Sequence, residues 1–360
     1  MKTIKKSIFI IACILQVILS VIMLDIKNTK AYNGSAEIVM DQSSGRVLYG
    51  NNVNQKMFMA STTKILTAIT VIENFDINSK VIVKKETCSV EGSSIYLEPG
   101  EVLTRKELLY GLMLRSGNDC AETLAVDCSN SIEEFVKLMN EMAKKIGATN
   151  SNFVNPHGLH NENHYTTAYD LALISRYAMK NQVFREIVST KKISIPFSTR
   201  DFNRVLINKN KLLNRLDGCI GVKTGFTKKA GRCLVTSCKR NGLELICVVL
   251  NCQNMFEHTE YLLLDAFSNY NSYKIFNKNN IIDFLEVKNC KEKCPIYIKS
   301  NVKLALTEKE KENLKIVYDF PNILEKNYNK DEEIGSIKFF IENNLIFTEK
   351  VYTINSVENF

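Results

Sequence analysis

Strand-like segments stand at both ends of the first 270 residues of this chain, and helical segments lie between them. From Ala36 apolar and polar residues alternate through a short hairpin whose polar turn ends in Gly45. Amphipathic helical spacing dominates residues 84–181, with one such segment over residues 132–146. Strand-like runs return over residues 219–223, 232–238 and 243–251, and a last helix follows over residues 256–270. This order indicates one sheet assembled from distant segments of the chain.

We therefore predict an α+β fold for residues 32–272, in which helices flank an antiparallel sheet and a helical insertion separates its strands. After residue 273 the composition changes to short alternating runs rich in Lys, Asn and Ile. Such runs predict a small C-terminal all-β domain over residues 273–360.

The first 31 residues have the pattern of an export signal. Lys2, Lys5 and Lys6 precede an uncharged run over residues 7–24, and Ala31 completes a small-x-Ala cleavage site. We predict an exported protein, located in the cell wall or at the outer face of the cytoplasmic membrane. The apolar run is long for a signal peptide, so an uncleaved N-terminal anchor is an alternative to a cleaved signal, and membrane association could be peripheral or through the N-terminus. The polar residues 353–360 do not predict an amphipathic C-terminal anchor.

Charge and cysteine usage narrow the range of partners. The formal net charge is +8, of which the first 31 residues contribute +4 through five lysines and one aspartate. Residues 32–360 carry the remaining +4, and their sequence contains no basic runs with interleaved aromatics. This argues against nucleic acid as a partner. Eleven cysteines are scattered along the chain, several of them in apolar runs, which favours buried free thiols. Cys290 and Cys294 are the best candidates for a disulfide. The sequence does not indicate an oligomeric state.

Three short motifs combine hydroxyl and amine groups. Ser61 and Lys64 are three residues apart at the start of an apolar helical segment, a spacing that stacks the amine one turn beyond the hydroxyl. A desolvated lysine can take the proton of a serine hydroxyl, which is a weak nucleophile by itself.

The other two motifs are Ser116-Gly117-Asn118, between two helical segments, and Lys223-Thr224-Gly225, after an apolar run. The cation and hydroxyl of the latter could meet a carboxylate, and Gly225 would let a substrate backbone approach closely. Taken singly, each motif also has an interpretation without function: the first as a helix cap, the second as a turn and the third as a strand end. Jointly and in this order they favour an acyl-transfer site.

These motifs make the chain resemble the penicillin-recognising serine enzymes, and most closely the low-molecular-mass penicillin-binding proteins that are D-alanyl-D-alanine carboxypeptidases. The resemblance covers about residues 35–270 and implies a β-lactamase/DD-peptidase-like fold. It is carried by four stretches, residues 60–64, 115–119, 155–159 and 221–227.

The resemblance also implies roles for single residues. Ser61 would attack the peptide carbonyl between two terminal D-alanines of a peptidoglycan stem peptide, and Lys64 would accept its proton. Ser116 would relay a proton to the departing D-alanine, and Asn118 would bond the substrate backbone and Lys64. β-Lactams would acylate the same serine as inhibitors.

Substrate binding is implied by the same resemblance. Lys223 and Thr224, followed by Gly225, would hold the terminal carboxylate, and the backbone N–H groups of Ser61 and Phe226 would form the oxyanion hole. No metal or organic cofactor is implied.

Two other functions are compatible with parts of this pattern. A β-lactamase-type hydrolase would need a deacylating residue, and no Glu-x-x-Leu-Asn segment occurs in the helical insertion. A catalytically silent wall-binding protein predicts degraded motifs, whereas all three motifs are intact.

His157, His160 and His164 could be metal ligands, but Pro156 and Gly158 disrupt a regular helix, which favours a loop that supports the site. His258 lies near a position for carboxylate binding and receives no role.

Overall fold

The computed structural model describes residues 34–357 and contains a five-stranded antiparallel sheet with the strand order β2-β1-β9-β8-β7. The strands of this region are β1 (Ala36–Asp41), β2 (Val47–Asn51), β3 (Lys80–Ile82), β4 (Val102–Thr104), β5 (Lys192–Ile195), β6 (Arg204–Ile207), β7 (Cys219–Thr227), β8 (Gly231–Arg240) and β9 (Leu243–Leu250). β1 pairs with β9, with Ala36 opposite Leu250, so both ends of the region meet in one sheet. β3 with β4 and β5 with β6 form separate two-stranded hairpins.

Eight helices accompany these strands within the described residues. They are α1 (Lys64–Asn74), α2 (Arg105–Tyr110), α3 (Asn118–Ser129), α4 (Ile132–Ile146), α5 (Ala168–Ala178), α6 (Gln182–Ser189), α7 (Leu212–Arg215) and α8 (Met255–Asn269). Short 3₁₀ turns cover Ala60–Thr63 and Lys85–Thr87, and a π-helical turn covers Gly111–Arg115. Local chemistry sets the ends: the hydroxyl of Ser131 accepts from the backbone of Glu134 at the start of α4, and Gly147 ends that helix with φ +94°.

The sheet is covered on both faces because its side chains alternate. Ile38 and Met40 of β1 pack in the cluster that contains the apolar side of α1, whereas Val39 packs with residues of α8 such as Leu263. The helical insertion therefore covers one face and α8 covers the other.

The C-terminal region has its own sheets and core. Its elements are β10 (Asn271–Phe276), β11 (Ile281–Val287), β12 (Cys294–Tyr297), β13 (Val302–Leu306), α9 (Glu308–Glu312), β14 (Lys315–Asp319), β15 (Ile323–Leu324), β16 (Glu333–Ile341) and β17 (Asn344–Thr353). Six strands pair in the order β14-β16-β17-β12-β11-β15, and β10 pairs with β13. A buried cluster that includes Ile296, Leu304 and Phe339 fills the interior. The predicted fold class, an α+β region followed by an all-β region, is confirmed.

Arg46, in the β1–β2 turn, joins the two regions. Its guanidinium donates to the backbone oxygen of Ala305 at 2.7 Å and forms an ion pair with Glu310.

The boundary predicted at residues 272–273 falls within β10. The predicted export signal lies outside the described residues, and no helix of residues 34–357 is long and apolar enough to cross a membrane. The ten described cysteines are free thiols, Cys290 and Cys294 included.

Candidate active site

Ser61 and Lys64 are adjacent in space at the start of α1. Ser61 lies in the 3₁₀ turn, and Lys64 is the first residue of the helix. Lys64 Nζ is 3.2 Å from Ser61 Oγ, 2.7 Å from Asn118 Oδ1 and 2.6 Å from the backbone oxygen of His157. The lysine is fully buried, and none of these three partners is a carboxylate. Burial, assisted by the charge of Lys223, holds the pKa of Lys64 well below its usual value.

These contacts fix the direction of the amine lone pair. The Asn118 side chain donates through Nδ2 to the backbone oxygen of Glu91, so its Oδ1 faces Lys64 as an acceptor. A neutral amine has two N–H groups, and Asn118 Oδ1 and the His157 oxygen can only accept them. The lone pair is then left for the hydroxyl proton of Ser61, which is the arrangement a general base requires.

Ser116 and Asn118 reach the same cleft from a break between two helices. Ser116 ends the π-helical turn in the left-handed conformation, with φ +66°, and α3 begins at Asn118. The backbone N–H of Asn118 donates to the backbone oxygen of Ser93 at 2.7 Å, which holds the break in place. Ser116 and Ser61 line one cavity of about 390 Å³.

Lys223, Thr224 and Gly225 lie on β7, which is an edge strand of the sheet. Lys223 is 1% exposed, and its Nζ donates to the backbone oxygen of Thr224 at 2.9 Å. Burial, with a contribution from the charge of Lys209, lowers the pKa of Lys223 to about 7. Near neutral pH the site therefore holds a partly charged, desolvated amine, and an anion beside it would favour the charged form.

Two glycines allow neighbouring backbones to lie against the serine turn. A Cβ atom on Gly225 would be 3.0 Å from the backbone oxygen of Met59 and 3.1 Å from the backbone nitrogen of Ser61. Gly158 has φ +91°, and a Cβ atom there would be 1.9 Å from the backbone oxygen of Ala60. No side chain larger than hydrogen fits at Gly158 without moving the turn.

His164 holds the turn that carries Ser61 through a hydrogen bond to Thr63. Its Nδ1 accepts from the backbone N–H of Val154 at 3.1 Å, so the proton of the neutral ring is on Nε2, which lies 2.7 Å from Thr63 Oγ1. The Thr63 hydroxyl in turn donates to the backbone oxygen of Ala60 at 2.8 Å. Burial lowers the pKa of His164 to about 3, so the ring stays neutral.

His157 has a similar supporting position. Its Nδ1 accepts from the backbone N–H of Leu159 at 3.1 Å, and its Nε2 lies 3.3 Å from Glu122 Oε1. His160 is exposed, 3.1 Å from Glu162 Oε1. Within residues 34–357 no group of three or more His, Cys, Asp or Glu side chains is arranged to hold a metal ion.

Several residues that the sequence motifs did not include also line the cleft. They are Ser93, Lys209, Lys211, Arg232, Met255 and Phe256. The sequence offered one signal for these residues, the close spacing of Lys209 and Lys211 ahead of α7 and β7. Neither lysine belongs to one of the three motifs. His258 is not among the lining residues: it is buried, with Nε2 2.6 Å from Glu37 Oε2.

Comparisons with known proteins match two family models to this chain. A family model described as D-alanyl-D-alanine carboxypeptidase matches residues 25–254, and one described as penicillin-binding protein 5, C-terminal domain, matches residues 270–359. The chain is 35% identical over 271 residues to D-alanyl-D-alanine carboxypeptidase DacF of Bacillus subtilis (strain 168), which covers 73% of this chain and 69% of that protein.

Two solved structures are similar over different lengths. Penicillin binding protein 5 from Haemophilus influenzae shares the fold over 92% of this chain and 99% of its own, with a TM-score of 0.79 and 24% identity. The Streptomyces K15 DD-transpeptidase is 31% identical, with a TM-score of 0.60, over 64% of this chain and 95% of its own.

Proposed function

The chain belongs to the D-alanyl-D-alanine carboxypeptidase family, and we infer from its site that it removes the terminal D-alanine from peptidoglycan pentapeptide stems through an acyl-enzyme on Ser61. It is a serine-type enzyme that binds penicillin. The observation that carries the role of Ser61 is the buried Lys64 amine 3.2 Å from its Oγ, held by two groups that can only accept hydrogen bonds.

Acylation begins when Ser61 Oγ attacks the carbonyl carbon of the penultimate D-alanine. Its proton passes to Lys64 Nζ, and the carbonyl oxygen gains negative charge between the backbone N–H groups of Ser61 and Phe226. The substrate carboxylate lies at Lys223 and Thr224, and Asn118 bonds the substrate backbone. Donors placed in this way stabilise the transition state by about 3 kcal/mol each in related chemistry.

The leaving group then departs with a proton. The C–N bond breaks, and the proton taken by Lys64 reaches the D-alanine nitrogen through the Ser116 hydroxyl. Water next attacks the ester and gives one proton to Lys64 Nζ. The bond between the acyl carbon and Ser61 Oγ then breaks, Lys64 returns that proton to Oγ, and the acid product loses its remaining proton to solvent and leaves as a carboxylate. No step requires a metal. We place this reaction outside the cytoplasm, where the peptidoglycan lies.

Labelling with a fluorescent penicillin and release of D-alanine test the proposal together. The wild-type protein should give a stable adduct and release D-alanine from a peptide ending in D-Ala-D-Ala, and Ser61→Ala should do neither. Ser268→Ala removes an exposed hydroxyl on α8 and serves as the matched control, which should behave as wild type.

Other outcomes distinguish the alternatives. Rapid turnover of the penicillin without D-alanine release would favour a β-lactamase-type hydrolase. Absence of both labelling and release from the folded wild-type protein would favour a silent wall-binding protein and contradict the proposal.

A further inference from the structure

The proposed roles on β7 set the direction in which a substrate lies. The terminal carboxylate is at Lys223 and Thr224, and the scissile carbonyl is at the N–H of Phe226. The rest of the stem must therefore continue past Thr227, antiparallel to this edge strand, as an added strand would. An extended peptide advances about 3.3 Å per residue, so the residues before the two D-alanines reach the turn at residues 228–230.

A groove lies at that end of β7. It has a volume of about 460 Å³, within the range of about 300–1,000 Å³ typical of ligand pockets. Its lining includes Lys56, Phe58, Glu162, Tyr165, Lys229 and Ala230. Phe58 is three residues before the nucleophile, and Lys229 lies in the turn that follows β7, so chain segments on both sides of the groove lead directly into the catalytic cleft.

The groove carries more positive than negative charge. Lys56 Nζ lies 4.4 Å from the centre of the Tyr165 ring, and the Lys229 side chain is exposed in the turn. Within residues 34–357 neither lysine forms an ion pair with an acidic side chain. Glu162 is the one acid of the lining, and it faces His160 Nε2 at 3.1 Å.

We propose that this groove binds the acyl side of the stem peptide, and that Lys56 and Lys229 recognise a free carboxylate on one of the two residues that precede the D-alanines. The inference rests on the proposed function, because the direction of the substrate follows from it. It defines the substrate class more narrowly: acidic stems are preferred to stems in which the same carboxylate is amidated.

Two pairs of peptides test the preference. Ac-Gly-Glu-D-Ala-D-Ala is compared with Ac-Gly-Gln-D-Ala-D-Ala, and Ac-Glu-Gly-D-Ala-D-Ala with Ac-Gln-Gly-D-Ala-D-Ala. Within each pair only the charge of one side chain differs. At low ionic strength kcat/KM for D-alanine release should be about fivefold higher for the acidic member of one pair, mainly through a lower KM. The pair that shows the difference locates the carboxylate, and 0.5 M salt should reduce the difference.

The double variant Lys56→Ala/Lys229→Ala should lose the preference. Lys228→Ala is the matched control, because Lys228 is in the same turn but does not line the groove, and it should keep the preference. Penicillin labelling of Ser61 shows that each variant is folded. Equal kcat/KM values within both pairs, or a preference that survives in the double variant, would overturn the subsite while D-alanine release upholds the proposed function. Absence of release from all four peptides would instead contradict the proposed function.

Discussion

The pKa of Lys223 predicts how the activity depends on pH. This amine is the proposed carboxylate anchor and acts only when it is charged, whereas Lys64 acts as a base only when it is neutral. Burial lowers the pKa of both lysines, that of Lys223 to about 7. A lowered pKa means that the amine loses its proton at a lower pH. On the alkaline side, kcat/KM should therefore fall as the pH rises through the pKa of Lys223 and this amine loses its charge. On the acid side, kcat/KM should fall as Lys64 gains a proton and can no longer act as a base.

The size of the alkaline fall follows from that value. With a pKa of about 7, the charged fraction of Lys223 is about one half at pH 7, about one tenth at pH 8 and about one hundredth at pH 9. We therefore expect kcat/KM for Ac-Gly-Gln-D-Ala-D-Ala to fall about fiftyfold between pH 7 and pH 9. The fall in kcat should occur at higher pH, because the bound carboxylate favours the charged amine.

The assay is D-alanine release at subsaturating substrate between pH 5 and pH 10. A peptide with a C-terminal amide has no carboxylate to anchor, so its slower cleavage should lack the alkaline fall. Lys223→Arg keeps a positive charge over the whole range and should also lack it, although the larger side chain lowers the overall rate. An alkaline fall at the same pH in Lys223→Arg, or no fall below pH 9 in the wild type, would refute this reasoning.

Three further predictions concern single contacts. Gly225→Ala places a methyl group 3.0 Å from the backbone of the serine turn and should slow penicillin acylation about tenfold in a folded protein; an unchanged rate would contradict the close approach. Glu122→Ala removes the partner of His157, whose backbone oxygen holds the catalytic amine, so kcat should fall about tenfold with little change in KM. Glu122→Gln retains an acceptor and should restore most of kcat; equal losses in both variants would contradict a positioning role. Arg46→Ala removes bonds to Ala305 and Glu310 and should lower the free energy of unfolding by about 2 kcal/mol in denaturant titrations, with penicillin labelling unchanged; loss of labelling in the folded variant would contradict a purely structural role.

Local patterns were sufficient for most elements of the fold. The helix predicted over residues 132–146 is α4, because its apolar period, the cap at Ser131 and the stop at Gly147 are all encoded within the segment. That β1 and β9 belong to one sheet also followed from the sequence, since strands at both ends of a helical region need a common sheet; their direct pairing came from the structure.

The limits of these elements were predicted less well where the chain faces the cleft. The strand expected over residues 219–223 continues to Thr227, because Thr224 and Gly225 face the site and interrupt the apolar pattern. The β5–β6 hairpin and the cleft residues Lys209 and Arg232 were not predicted. Their positions depend on how distant segments pack, which no local motif encodes.

The pairing of β1 with β9 also determines when the enzyme can first become active. Ser61 follows the first hairpin, but the sheet that supports Lys223 is complete only when β8 and β9 have been synthesised and β9 has paired with β1. Such non-local pairing forms slowly, because the intervening chain must close as a long loop. A nascent chain that ends before Leu243 has its nucleophile and base but lacks the strand that joins β8 to β1. Acyl transfer therefore cannot begin until almost the whole catalytic region, through Leu250, has emerged and folded.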